Sequence, residues 1–265
     1  MKTAVLKILT ATVFALLSAL VSAAQPPAGA LAFAAGETTT YEAKVSRIIK
    51  GITVADMTFS VVNAPGSSDL VIKSEARSKG TLIKIFGFSF LQQFESTIDA
   101  KGLHILRTIK HDVQKQRIRD SEALFDYGEK RVTYVETDPN DASRPPRKIA
   151  SKIEDTTHDI VSGVYALRNM PLTVGKTIEM TISDSGLVYT VPVVVAARER
   201  QKSIFGKVWC FRLEPDIFGK GRLIEREGKM TIWLMDDARR LPVRSQINTE
   251  YGRVEVKLKT AAGLK

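Results

Sequence analysis

The chain has 265 residues, a formal net charge of +10 and a single cysteine, Cys210. This length fills one large domain or two small ones and buries a core without staples, while one cysteine excludes an intramolecular disulfide framework. The positive balance points to anionic partners, and the first residues decide which kind.

Met1-Lys2-Thr3 and Lys7 open the chain with positive charge, residues 8–21 form an almost unbroken apolar run, and Val21-Ser22-Ala23-Ala24 supplies the small residues of a processing site. The pattern predicts a secretory signal peptide over residues 1–24, too short and wrongly flanked for a membrane span. The expectation is a periplasmic protein without a transmembrane segment after processing, with secretion as the lesser alternative. Outside the cytoplasm, nucleic acid is not an expected partner. Lipid headgroups and acidic envelope polymers are. Without Lys2 and Lys7 the formal charge falls from +10 to +8.

Residues 25–37, rich in proline, alanine and glycine, read as a flexible leader. From Thr38 onward the pattern has period two. Tyr41, Ala43 and Val45 alternate with Glu42, Lys44 and Ser46; after a turn at Lys50-Gly51, Ala55, Met57, Phe59 and Val61 alternate with polar neighbours. This is a hairpin with one buried and one wet face. Residues 81–92 carry Phe86, Phe88 and Phe90 and read equally as helix, lid or strand. Leu103, Ile105 and Ile109 resume the alternation, as do Val132 and Tyr134. A polar, proline-rich loop follows near 138–148. Residues 159–170 predict the one clear helix. Asp159 is its cap, Ile160, Val164 and Leu167 share a face, and Pro171 stops it. Met230, Ile232 and Leu234, then Val254, Val256 and Leu258, complete roughly a dozen strand candidates.

These elements predict a mainly β fold. It is a large antiparallel curved sheet, sandwich or incomplete barrel, with one or two helices packed on or in it. Residues 38–262 form a single β-rich domain.

Catalytic signatures are not found. His104 and His111 lie an odd number of residues apart on one predicted strand and so face opposite ways; no metal-ligand spacing and no cofactor loop is read. Ser162-Gly163 falls inside the predicted helix. Asp236-Asp237 reads as a turn neutralised by Arg239 and Arg240 rather than as an acid–base pair. Phe205 and Phe218 beside glycines at loop tips, with the phenylalanines of 86–90, either fill the core or line an apolar mouth.

Asp159-Ile160-Val161-Ser162-Gly163-Val164-Tyr165-Ala166-Leu167-Arg168, then Leu172-Thr173-Val174-Gly175, Gly228 to Leu234, Asp237, Arg239-Arg240-Leu241-Pro242-Val243 and Gly252 occur in this order. The arrangement resembles the exported bacterial family called domain of unknown function 3108, and the hairpin around Gly51 and the strand Phe94-Glu95-Ser96-Thr97-Ile98-Asp99 fit it. The resemblance implies an envelope location and a β-rich domain; it carries no catalytic residues. The layout is also similar, in architecture only, to periplasmic lipoprotein carriers, which wrap an incomplete barrel around helices and hold acyl chains.

The functional expectation is non-enzymatic binding of an amphiphilic or anionic envelope component, such as a lipid or a lipopolysaccharide-like molecule. Tyr165, Arg168, Trp233, Phe88 and Phe90 are its candidate contacts. The alternatives are a scaffold that meets another envelope protein without a ligand cavity and, less favoured, a hydrolase acting on an envelope polymer through Asp237 and His158.

Overall fold

Alternating side chains give nearly every strand one apolar face, and the chain buries those faces by curling a single sheet around one helix. The structure, a computed structural model, describes residues 31–46, 51–80, 84, 87–250 and 252–265; the predicted signal peptide and, within the ambiguous 81–92 segment, residues 81–83 and 85–86 lie outside these. The strands are β1 (Thr38–Ser46), β2 (Ile52–Asn63), β3 (Leu70–Ser78), β4 (Phe90–Ile98), β5 (Ile105–Gln114), β6 (Arg117–Asp126), β7 (Arg131–Thr137), β8 (Arg147–Lys152) and β9 (Thr157–Asp159). After the helix α1 (Ile160–Asn169) come β10 (Thr177–Asp184), β11 (Leu187–Ser203), β12 (Gly206–Pro215), β13 (Gly228–Met235), β14 (Pro242–Thr249) and β15 (Gly252–Ala262). Residues 90–92 of the ambiguous segment are therefore strand.

One 15-stranded sheet holds them all, in the order β8-β7-β6-β5-β4-β3-β2-β1-β15-β14-β13-β12-β11-β10-β9. Two meanders are stitched together by the antiparallel pairing of the first strand with the last, Thr38↔Ala262 through Ser46↔Arg253. Only β9 with β10 is parallel, Thr157 to Asp159 against Thr181 to Ser183. The loop at 138–146 joins β7 to β8, which pair antiparallel, so it is a hairpin loop within one sheet.

The sheet is curved and unclosed, and its first edge nevertheless touches the far meander. Ser151 Oγ on β8 donates to the Gly186 carbonyl at 2.6 Å, in the turn between β10 and β11. Gly186 has a φ of +80°, and a Cβ there would stand 2.6 Å from Tyr134 Cβ. Only glycine supplies both the backbone conformation and the close approach.

Helix α1 begins with a complete capping box. Asp159 accepts from the Ser162 amide at 2.6 Å, and Ser162 Oγ accepts from the Asp159 amide at 2.9 Å. The same carboxylate accepts from Ser96 Oγ at 2.5 Å and Thr108 Oγ1 at 2.7 Å, so β4 and β5 hold the helix start. The Arg168 guanidinium holds its other end. It grips Glu37 through two hydrogen bonds of 2.6 and 2.8 Å and donates to the carbonyls of Ala32 and Arg239.

This anchoring bears on the last part of the predicted leader over 25–37, whose residues 25–30 lie outside the described ones. Within its described part, residues 31–37, Ala32, Phe33 and Glu37 are buried. Phe33 packs edge-on to Tyr165 with ring centroids 4.9 Å apart. The proline- and glycine-rich composition hid one apolar plug and one buried carboxylate.

Candidate functional site

The helix fills only part of the space inside the curl. Ala166 and Leu167 pack into a dry cluster with Met180, Val193, Phe211, Leu213 and Leu234. Its opposite side, Ile160, Val161, Val164, Tyr165 and Arg168, faces a cavity of about 410 Å³. These positions recur at the three- and four-residue spacing of one helical face.

The rest of that wall comes from the inner faces of strands from both meanders. β1 and β2 supply Tyr41, Met57 and Phe59, β3 and β4 supply Ala76 and Phe94, and β13 to β15 supply Met230, Ile232, Ile247 and Val256. The pairings Tyr41↔Met57, Met57↔Ala76 and Ile232↔Ser245 place them on a common face. The lining is mostly apolar. Burial pushes the Tyr41 phenol up to about 12 and raises Tyr165 further, so both hydroxyls stay neutral.

Beside it lies a second, polar cavity of about 240 Å³, and Gln92 and Lys110 line both. Lys110, Arg117, Arg119 and Arg147 bring four cations to its wall against two acids, Asp112 and Glu136. Asp112 is taken by Arg117 at 2.8 Å and by Gln92 at 3.0 Å. Arg119 pairs with Asp138, and Tyr134 donates to Glu136 at 2.9 Å. Lys110 has no carboxylate partner among the described residues. Its ammonium lies 5.0 Å from the Phe94 ring centroid, at the junction of the two spaces.

A β-bulge puts Lys110 there. Thr97 pairs with Arg107, but the next residue, Ile98, pairs with Ile105, which leaves Leu106 as the extra residue of β5. Beyond it the faces exchange, so Thr108, Lys110 and Asp112 point inward and Ile109 outward. The alternation of Ile105 with Ile109 predicted the reverse. Sequence reasoning therefore missed Lys110, and no local signal marks the bulge.

Of the sequence-predicted contacts, the structure brings Tyr165 and Arg168 to the apolar cavity. Arg168 is fully buried and fully engaged by Glu37 and two carbonyls, so its guanidinium is a strut behind the wall. Trp233 lies on the opposite face of β13 from Ile232. There its indole N–H donates to Glu199 at 2.6 Å and Arg244 stacks on its ring at 4.6 Å. Phe90 packs against the small cluster of Ala43, Val54 and Ala55, with Phe88 beside it at 6.2 Å, and neither lines the cavity. Phe205 tips the β11–β12 hairpin, and Phe218 sits against Gly228; neither forms a mouth.

His158 and Asp237 are not brought together. His158 is buried in β9, and burial pulls its imidazole down to about 4. Asp237 accepts from the amides of Arg239 and Arg240 in the β13–β14 turn, as the turn reading predicts. His104 packs edge-on to Tyr127 and His111 bonds Asp120, so these two histidines have separate partners. Cys210 is buried, and burial with nearby carboxylates pushes its thiol up to about 12. Among the described residues no group of three metal-ligating side chains occurs, and no helix is long and apolar enough to cross a membrane.

Comparison with known proteins agrees with the fold. The family described as "Protein of unknown function (DUF3108)" matches residues 40–259. A crystal structure of a beta-barrel-like protein of the domain of unknown function DUF1849 from Brucella abortus superposes with a TM-score of 0.59. It is 13% identical and covers 85% of this chain and 96% of that one. No curated protein matches the chain.

Proposed function

Because the chain belongs to the DUF3108 family of proteins of unknown function, its interior is the place to read its role, and we propose that it binds an amphiphile with an anionic head without transforming it. The apolar tail occupies the 410 Å³ cavity under α1, a volume within the roughly 300–1,000 Å³ common for small-molecule sites. The head lies at the polar cavity, against Lys110 and Arg147, the two lining cations there with no carboxylate partner among the described residues. The observation that carries the reading is the junction itself: one apolar and one net-cationic space, sharing Gln92 and Lys110. The export pattern of residues 1–24 supports the periplasm as the place of action, and hence a lipid or lipopolysaccharide-like envelope component as ligand.

The test is native mass spectrometry of the protein purified gently from periplasmic extract, followed by organic extraction. A discrete bound mass that releases an anionic amphiphile supports the reading, and Lys110→Gln should lower its occupancy. A clean apo mass that persists after incubation with phosphatidylglycerol would move the weight to an envelope scaffold.

A further inference from the structure

The β11–β12 hairpin runs past the body of the sheet. β12 pairs with β13 from Cys210 to Leu213, whereas its pairing with β11 continues outward through Arg200↔Trp209, Gln201↔Val208, Lys202↔Lys207 and Ser203↔Gly206. The outer part is a two-stranded ribbon. At its tip Ile204 is 45%, Phe205 37% and Trp209 42% exposed. Three large apolar side chains within six residues make an exposed cluster of the kind that marks an interaction site.

The cations of the ribbon itself are unpaired, while the two arginines that reach its rings from beside it, Arg198 and Arg239, are held by Asp236 and Asp237. Arg200, Lys202 and Lys207 share the face of the ribbon that carries Trp209, and none has a carboxylate partner among the described residues. Lys202 and Lys207 are directly opposed, a like-charge pair that weakens a hairpin unless something anionic lies over it. The guanidinium carbons of Arg198 and Arg200 lie 4.5 and 5.4 Å from the Trp209 ring centroid, and that of Arg239 lies 4.7 Å from the Phe205 centroid. Glu199, the one acid in this stretch, belongs to the opposite face, where it accepts from Trp233 and lies near Arg212.

We propose that this tip docks the protein onto an anionic lipid bilayer. Ile204 and Phe205 enter the acyl boundary, Trp209 sits at headgroup level, and Arg200, Lys202 and Lys207 meet lipid phosphates. Aromatic rings at the interface, apolar side chains below them and cations alongside are the arrangement such surfaces select. A protein partner would have to bring acidic groups to both lysines as well as a greasy pocket, whereas a bilayer presents both layers at any position. The site is separate from the cavity, and it stands or falls independently of what the cavity holds.

The experiment is sedimentation of the purified protein with vesicles of phosphatidylglycerol and phosphatidylcholine in equal parts, and with vesicles of phosphatidylcholine alone. The expected result is binding to the first that fades with added salt, weak binding to the second, and a blue shift of tryptophan emission on binding. Ile204→Ser with Phe205→Ser should weaken binding by about tenfold or more. Lys202→Gln with Lys207→Gln should weaken it by roughly thirtyfold, at about five- to sixfold per charge. Should the apolar double variant fail to fold, by circular dichroism, the lysine pair still decides. No vesicle binding by the unaltered protein, equal binding to both vesicles, or undiminished binding by a folded variant would each overturn the proposal. So would retention of the tip by a protein partner with indifference to vesicles.

Discussion

The two halves of the interior obey the same alternation and end in opposite states. Under β10 to β13 the inner face is Met180, Ile182, Val193, Val195, Phe211, Leu213, Ile232 and Leu234, and α1 closes directly onto it with Ala166 and Leu167. Under β4 to β7 the inner face includes Gln92, Lys110, Asp112, Ser121 and Glu136, and the helix leaves much of it uncovered. The helix meets that meander at its start, where Asp159 accepts from Ser96 and Thr108 and where Val161 and Tyr165 join Ile98, Ile105, Phe125 and Val132 in an apolar cluster; Phe33 packs on Tyr165. A helix can press its full apolar stripe onto only one wall of a curl this wide. The chain packs the meander that follows the helix throughout, and it holds the other by an apolar cluster at one end and by polar pins. Space remains where β4 and β5 run beyond that cluster, at Gln92, Phe94 and Lys110.

The sharpest way to break this division is to cut the pin at the helix end. Arg168→Ala leaves Glu37 buried without its cation, and we expect about 3–5 kcal/mol of lost stability in urea unfolding. Loss of no more than about 1 kcal/mol would mean the helix does not depend on residues 31–37. A cut in the dry half should cost nearly as much. Leu234→Ala removes a fully buried side chain and should destabilise by about 3 kcal/mol, whereas Val164→Ala, facing existing space, should cost well under half of that while changing ligand occupancy. Equal costs would argue against a cavity on the helix's open side.

A smaller effect follows from pH. His158 has a folded-state value depressed to about 4 from 6.5 by burial. Between those values the unfolded chain binds a proton that the folded chain refuses. Stability from this site is therefore complete above about pH 6.5, is lost as pH falls towards 4, and changes no further below it. The loss is of the order of 2–3 kcal/mol, and it should vanish from the pH dependence of unfolding in a His158→Gln variant. The smallest effect on stability is expected at the junction of the halves. Lys110→Gln should alter unfolding by no more than about 0.5 kcal/mol yet lower occupancy by an anionic amphiphile. A large stability change would make Lys110 a structural residue.

Much of this was legible in the chain. Tyr41 and Met57 face inward together because the hairpin around Gly51 is regular there, and period two is a local property of strands. The helix start was legible because the cap, Asp159, and the Ser162 amide it accepts from are neighbours in sequence. The predicted site was legible in part. Tyr165 and Arg168 project from one helical face, which spacing alone reveals. Trp233 was not, since neither the sheet's inner side nor its pairing with Arg244 is written near residue 233. Phe88 and Phe90 looked like a mouth only because the packing partners of Phe90, Ala43 and Ala55, lie far away in sequence.

By itself the sequence determined what short-range sterics and periodicity determine: strands with two unlike faces, one capped helix, turns at glycine and at Asp236-Asp237, and a leading apolar segment with the marks of an export signal. Tertiary structure decided everything that depends on partners distant in sequence. It paired the first strand with the last and gave Arg168 a carboxylate 131 residues away. It also used one extra residue, Leu106, to turn a lysine into the interior. A bulge shifts register by a single residue and exchanges the faces of everything beyond it, so its consequence is large while its local imprint in the sequence is almost nothing.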